Sequence, residues 1–109
     1  MKIVYHKGLT KKQWFLKSIF EQMANVGAEV ERAINWKKKD RSYSQLALER
    51  ALELLDLTID DPKNKKRLKE IIRVREMLVD YFFENQYAST AKFWHKYFYP
   101  FNYATRLDL

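Results

Sequence analysis

Residues 15–37 read FLKSIFEQMANVGAEVERAINWK, and the spacing of their apolar side chains settles the class of structure. Leu16, Ile19, Met23, Val26, Val30 and Ala33 recur at alternating spacings of three and four. That spacing lines them along one face of a 3.6-residue helix. Phe20, Gly27 and Ile34 make a second row beside the first, so the apolar face is wider than a two-helix seam and suits a bundle core. Upstream, Thr10 and Gln13 fit a capping box. Downstream, Lys37, Lys38 and Lys39 put cations where the helix dipole favours them. One helix is therefore predicted over about 11–39, roughly 43 Å long at 1.5 Å per residue. Gly27, with Ala24 and Ala28, forms a small-residue patch in its middle, fit for close packing of a bulky side chain or of another protomer.

The partners that such a helix needs follow in the chain. Ser42 and Gln45 fit a second capping box, opening a helix over about 43–60 whose core row is Leu48, Leu52, Leu55 and Ile59. Its polar side carries Glu49, Glu53, Asp56 and Asp60 on one face. Asp61 and Pro62 stop that helix and start the next, over about 63–84, and so short a connection implies an antiparallel hairpin. Lys63, Lys65, Lys66, Arg67 and Lys69 crowd the start of this third helix, against its dipole. A tight turn would set Asp56 level with Arg67, so part of the basic run is expected to pair with the acidic face before it.

Arg75 falls by spacing within the apolar face Leu68, Ile71, Ile72, Leu78, Val79 and Phe82. A buried guanidinium needs a carboxylate. Glu49 is level with it in the same register, and Glu29 of the first helix is the other candidate. After Asn85 the chain turns aromatic. A fourth helix over about 90–106, capped by Ser89 or Thr90, carries Phe93, Trp94, Tyr97, Phe98, Tyr99, Phe101 and Tyr103. Pro100 is expected to kink or divide it. Trp94, Phe98 and Phe101 form a row that implies a covered outer face, and a homo-oligomer, first of all a dimer, is the expected cover. Interleaved with Lys92, Lys96 and Arg106, the aromatics could instead stack on bases, which requires exposed rings.

At 109 residues the chain makes one domain, residues 1–109, with residues 1–10 as an N-terminal arm. The expected class is all-α, an antiparallel up-down-up-down four-helix bundle: two glycines and two prolines are too few for a turn-rich β fold. No cysteine occurs, which excludes disulfides and thiolate chemistry. The ferritin-type Glu-x-x-His pair, the phosphate-binding glycine loops and the G-x-S-x-G elbow are all missing from the sequence. No catalytic residue, metal ligand or cofactor is therefore assigned, and His6 and His95 are read as packing or surface residues. The longest uncharged run, Tyr97–Thr105, is too short to span a bilayer. MKIVYHKG at residues 1–8 lacks the apolar core of a secretory signal, so a cytoplasmic protein is expected.

The net charge of +7 points to nucleic acid or an acidic protein surface as partner. In the expected bundle the starts of the first and third helices share an end, where Lys11, Lys12, Lys63, Lys65, Lys66 and Arg67 would form a polyanion-binding patch beside two helix N-termini. The segments EQMANVGAEVERA, ALERALELLDLTIDD and RLKEIIRVREMLVDYF resemble a family of short, uncharacterised prokaryotic proteins. That resemblance implies a small all-helical domain and no particular activity. HEPN-type ribonucleases are another helical class, but no Arg precedes His95 at the spacing of their Arg-to-His signature. Two functions follow as expectations. The first is a non-catalytic interaction module that self-associates through its aromatic helix. The second is a nucleic-acid-binding module that uses the basic end.

Overall fold

The computed structural model describes residues 2–107, and every regular element among them is helical. The helices are α1 (Lys11–Phe15), α2 (Ile19–Trp36), α3 (Arg41–Asp60), α4 (Leu68–Phe82) and α5 (Ala91–Leu107), with a 3₁₀ segment (Pro62–Arg67) between α3 and α4.

The single helix expected over 11–39 is two helices. Thr10 and Gln13 do form a capping box at the start of α1. A second box follows at once: Ser18 Oγ accepts the Glu21 N–H at 3.1 Å, and a Glu21 carboxylate oxygen accepts the Ser18 N–H at 3.4 Å. This second box restarts the chain as α2 and changes which side chain is buried. Trp14 turns inward, and its indole N–H donates to Thr58 Oγ1 at 3.1 Å. Leu16, expected in the core row, falls in the break and is 82% exposed. The start of α3 also differs. Asp40, rather than Ser42, caps it by accepting the Tyr43 N–H at 3.1 Å, and Ser44 Oγ donates to the Ala33 carbonyl at 2.7 Å.

These bonds fix how neighbours lie. Gln22 near the start of α2 bonds Asp61 just past α3, while Ala33 near the end of α2 bonds Ser44 near the start of α3. On the other side of α2, Gly27 faces Phe98 and Glu31 meets His95, so α5 also runs opposite to α2. A Cβ at Gly27 would lie 2.9 Å from Phe98 Cβ and Cγ, closer than packed carbons approach. The glycine is what lets α5 seat its aromatic row against α2, as the small-residue patch suggested. Met23, Val26, Val30, Leu54, Leu55, Leu57, Ile71, Leu78, Trp94 and Phe98 then share one core.

Asp61 and Pro62 open a 3₁₀ segment instead of an α-helix, with the Asp61 side chain accepting the Lys63 N–H at 3.1 Å. This segment delays α4 and shifts its register along α3 by about two turns. The carboxylate level with Arg75 is thus Asp56, not Glu49. α5 stays helical through Pro100, which neither divides it nor ends it. Thr90 caps it by accepting the Phe93 N–H at 3.1 Å.

Candidate functional site

Charge of the two signs is used differently in this molecule. The acidic row of α3 fastens three other elements, the arm, α4 and α1. Glu53 receives the arm: its carboxylate accepts the backbone N–H groups of Val4 at 2.7 Å, Tyr5 at 3.1 Å and His6 at 2.9 Å, and His6 Nδ1 lies 2.9 Å away. Burial alone would raise the Glu53 carboxyl. The bonds from Val4, the His6 ring, Tyr5 and the His6 backbone outweigh it and hold the group down to about 2. Glu49 accepts the Tyr5 hydroxyl at 2.6 Å, which raises that phenol above its usual range. Asp56 takes Arg75 at 2.7 Å, and Asp60 takes Lys11 at 3.1 Å.

Arg75 therefore departs from the expected buried pair. Its partner is Asp56 and both side chains are 37% exposed. Glu29 is engaged elsewhere, 3.3 Å from Arg50 and 3.7 Å from Arg32. An exposed pair of this kind contributes at most about 1 kcal/mol.

At the end of the molecule where α1 meets the 3₁₀ segment, a buried polar network ties four segments together. Gln22 Nε2 donates to the Trp14 carbonyl at 3.1 Å and to Asp61 Oδ2 at 2.8 Å, and Asn64 Nδ2 donates to Gln22 Oε1 at 2.8 Å and to the Thr58 carbonyl at 3.0 Å. Burial would raise Asp61, but bonds from the Lys63 ammonium and from Gln22 hold it below the usual range. No buried side-chain nitrogen or oxygen among the described residues lacks a partner, so the network is complete and holds the end rigid.

The six residues expected to form a polyanion patch divide accordingly. Lys11 pairs with Asp60, Lys63 with Asp61 and with the Phe15 carbonyl at 2.9 Å, and Arg67 lies 3.9 Å from Glu70. Lys12, Lys65 and Lys66 are exposed and meet no carboxylate among the described residues. Half of the expected patch thus serves the fold.

The row Trp94, Phe98 and Phe101, expected at an oligomer interface, is buried in the core of the single chain. The reason is Gly27, which admits Phe98, together with the Trp94 indole N–H donating to Ser89 Oγ at 3.2 Å. Tyr97 is half-buried beside them and donates to Glu70 at 2.7 Å; burial first, then that bond, raises its phenol.

What α5 leaves outside is a different row. Lys92, Lys96, Tyr99, Tyr103 and Arg106 recur at spacings of four, three, four and three, and all are exposed. The Tyr99 and Tyr103 rings are 58% and 48% exposed and stacked on each other, centroids 6.1 Å apart and 20° from parallel. No acid occurs in α5, and the three cations meet no carboxylate among the described residues. The signal for this row was its helical spacing, hidden because every face of α5 carries aromatics. Beside Tyr99 a groove of about 310 Å³ opens between α5 and α2, lined by Ala24, Gly27, Ala28, Glu31, His95, Phe98, Tyr99 and Asn102. His95 Nδ1 lies 2.5 Å from the Glu31 carboxylate at its edge.

No cluster of three or more metal-ligating side chains occurs among the described residues, and no described helix is long and apolar enough to cross a membrane. No family model matches the chain, and no curated protein or solved structure is significantly similar to it.

Proposed function

We propose that this chain is a non-catalytic nucleic-acid-binding module. In this reading α2, α3, α4 and α5 form an antiparallel up-down-up-down bundle, with α1 and the arm strapped against α3. The pairings Gln22–Asp61, Asp56–Arg75, Tyr97–Glu70 and His95–Glu31 support that arrangement. The bundle is the scaffold, and the working surface is the outside of α5.

The observation that carries the proposal is the outer row of α5, in which three cations that meet no carboxylate among the described residues flank two exposed, stacked tyrosines. Cations with no internal partner attract phosphates, and phosphate contacts dominate nucleic-acid affinity. Lys12, Lys65 and Lys66 are further exposed cations that meet no carboxylate among the described residues. The test is fluorescence polarisation of labelled DNA and RNA oligomers at about 50 and 200 mM salt, a range over which phosphate-dominated binding weakens steeply. Micromolar binding at the lower salt that the double charge reversal Lys92→Glu/Lys96→Glu removes is the expected result.

Self-association is the second reading, and one observation favours it. Phe20 and Leu107 are exposed and line a hollow with Ser18, Ala104 and Thr105. Exposed apolar side chains gathered at one place mark contact surfaces. Light scattering would then show a mass above the monomer's that Phe20→Glu reduces to it.

A further inference from the structure

We infer that the polyanion bound by α5 is single-stranded and is held by its bases as well as its phosphates, with Tyr99 and Tyr103 as the stacking face and the neighbouring groove as the seat of one base. This inference rests on the nucleic-acid reading above and deepens it.

Three features of the tyrosine pair carry it. First, the hydroxyls of these rings are left out of the fold's hydrogen bonds among the described residues, whereas those of Tyr5 and Tyr97 bond carboxylates. Second, the two rings are nearly parallel, stacked and half-exposed, so a base can continue the stack on an outer face of the pair. Third, cations lie on either side along the helix, Lys92 and Lys96 before and Arg106 after. A strand lying along the helix can thus place phosphates at both ends while its bases rest on the rings. The row spans about 21 Å at 1.5 Å per residue, enough for a few nucleotides. Base faces are available for stacking only when unpaired, because in a duplex each is covered by its neighbours.

The groove supplies the second contact. Tyr99 belongs both to the row and to the groove wall, so a base displaced from the ring surface enters the groove directly. Ala24, Gly27 and Ala28 line its α2 side, with no side chain larger than a methyl to fill it. The rim is polar. The Asn102 side-chain amide makes no hydrogen bond among the described residues, and an amide can donate to and accept from a base edge at once. His95 turns Nδ1 to Glu31, which leaves its other ring nitrogen for a second partner.

Binding of three labelled probes of equal length tests this: a single strand, its abasic analogue and the corresponding duplex, with the single strand measured also at raised salt. The expected result is that the single strand binds at least about tenfold tighter than the abasic analogue, as one or two stacked bases would give. Tyr99→Ala should remove that advantage, while Tyr99→Phe should keep it. Tyr99 is exposed, so both variants should unfold as the wild type does.

Equal affinity for the single strand and its abasic analogue, with Tyr99→Ala binding both as well as wild type, would overturn the inference. Phosphate-only binding, and with it the nucleic-acid reading, would survive that outcome. Failure of every oligomer to bind at about 50 mM salt, where phosphate contacts are strongest, would remove the reading itself. A concentration-dependent doubling of mass, lost in Tyr99→Ala, would overturn the inference in favour of a second copy of the chain on the same face.

Discussion

The acidic row of α3 and the basic row of α5 have similar spacing and opposite fates. Glu49, Glu53, Asp56 and Asp60 each bond a group from the arm, α4 or α1. Lys92, Lys96 and Arg106 bond no carboxylate among the described residues. One row is a seam that fastens three elements to the longest helix. The other is a surface. Net charge alone does not separate these roles, since a cation held by a neighbour contributes little outward field. The difference lies in which groups the fold has already engaged.

The sharpest break in this comparison should come at Glu53. Its carboxylate accepts three backbone N–H groups and stands beside a ring nitrogen, so Glu53→Ala leaves those donors orphaned near the core. A loss of about 3 kcal/mol is expected, with urea denaturation as the measure. Hydrogen exchange at residues 4–6 should speed up in the same variant. The same group fixes an acid-side pH dependence. Its folded pKa of about 2 lies below the ordinary 4.5, so the unfolded chain binds more protons between those values. The stabilisation is complete above about pH 4.5 and is lost as the pH falls towards 2. Glu53→Gln should flatten that part of the stability profile.

Gly27→Ala comes next. The added methyl meets Phe98 at 2.9 Å, and overpacking outweighs the gain in helix propensity, for a net cost of about 1–2 kcal/mol in thermal unfolding. Phe98→Ala removes the Cγ and Cδ1 atoms that the methyl would meet and leaves only Cβ, so Gly27→Ala should be less harmful in that background than it is alone. Arg75→Ala should cost less, about 0.5 kcal/mol, because its pair with Asp56 is open to solvent. Smallest of all for stability should be Lys92→Glu/Lys96→Glu, within about 0.5 kcal/mol of wild type, although this double variant should have the largest effect on nucleic-acid binding.

Much of the all-helical class was legible in the sequence, and the reasons for each miss are local. The core rows of α2 and α3, the cap at Thr10 and the stop at Asp61–Pro62 follow from spacing and from capping chemistry that acts within one turn. The break at Ser18 was hidden because the apolar period runs on through it, although Ser18 and Glu21 carry a capping signature of their own. Arg75 found Asp56 because a 3₁₀ segment, not an α-helix, follows Pro62, and a register shift of that kind depends on backbone geometry that composition does not encode. The arm on Glu53 was invisible for a related reason: its donors are main-chain N–H groups, which every residue but proline has. On α5 the aromatic residues surround the helix, so spacing cannot tell the row that is buried from the row that is exposed. That choice is made by Gly27, on a different helix.

The central claim is that the cations of α5 are left for a polyanion. Its most direct test is the salt dependence of binding of a labelled single strand to the wild type and to Lys92→Glu/Lys96→Glu. The account predicts micromolar affinity at about 50 mM salt and a steep logarithmic slope, shallower by about one unit for each phosphate contact removed. Equal slopes and affinities for the two proteins, or no binding by the wild type at low salt, would contradict it.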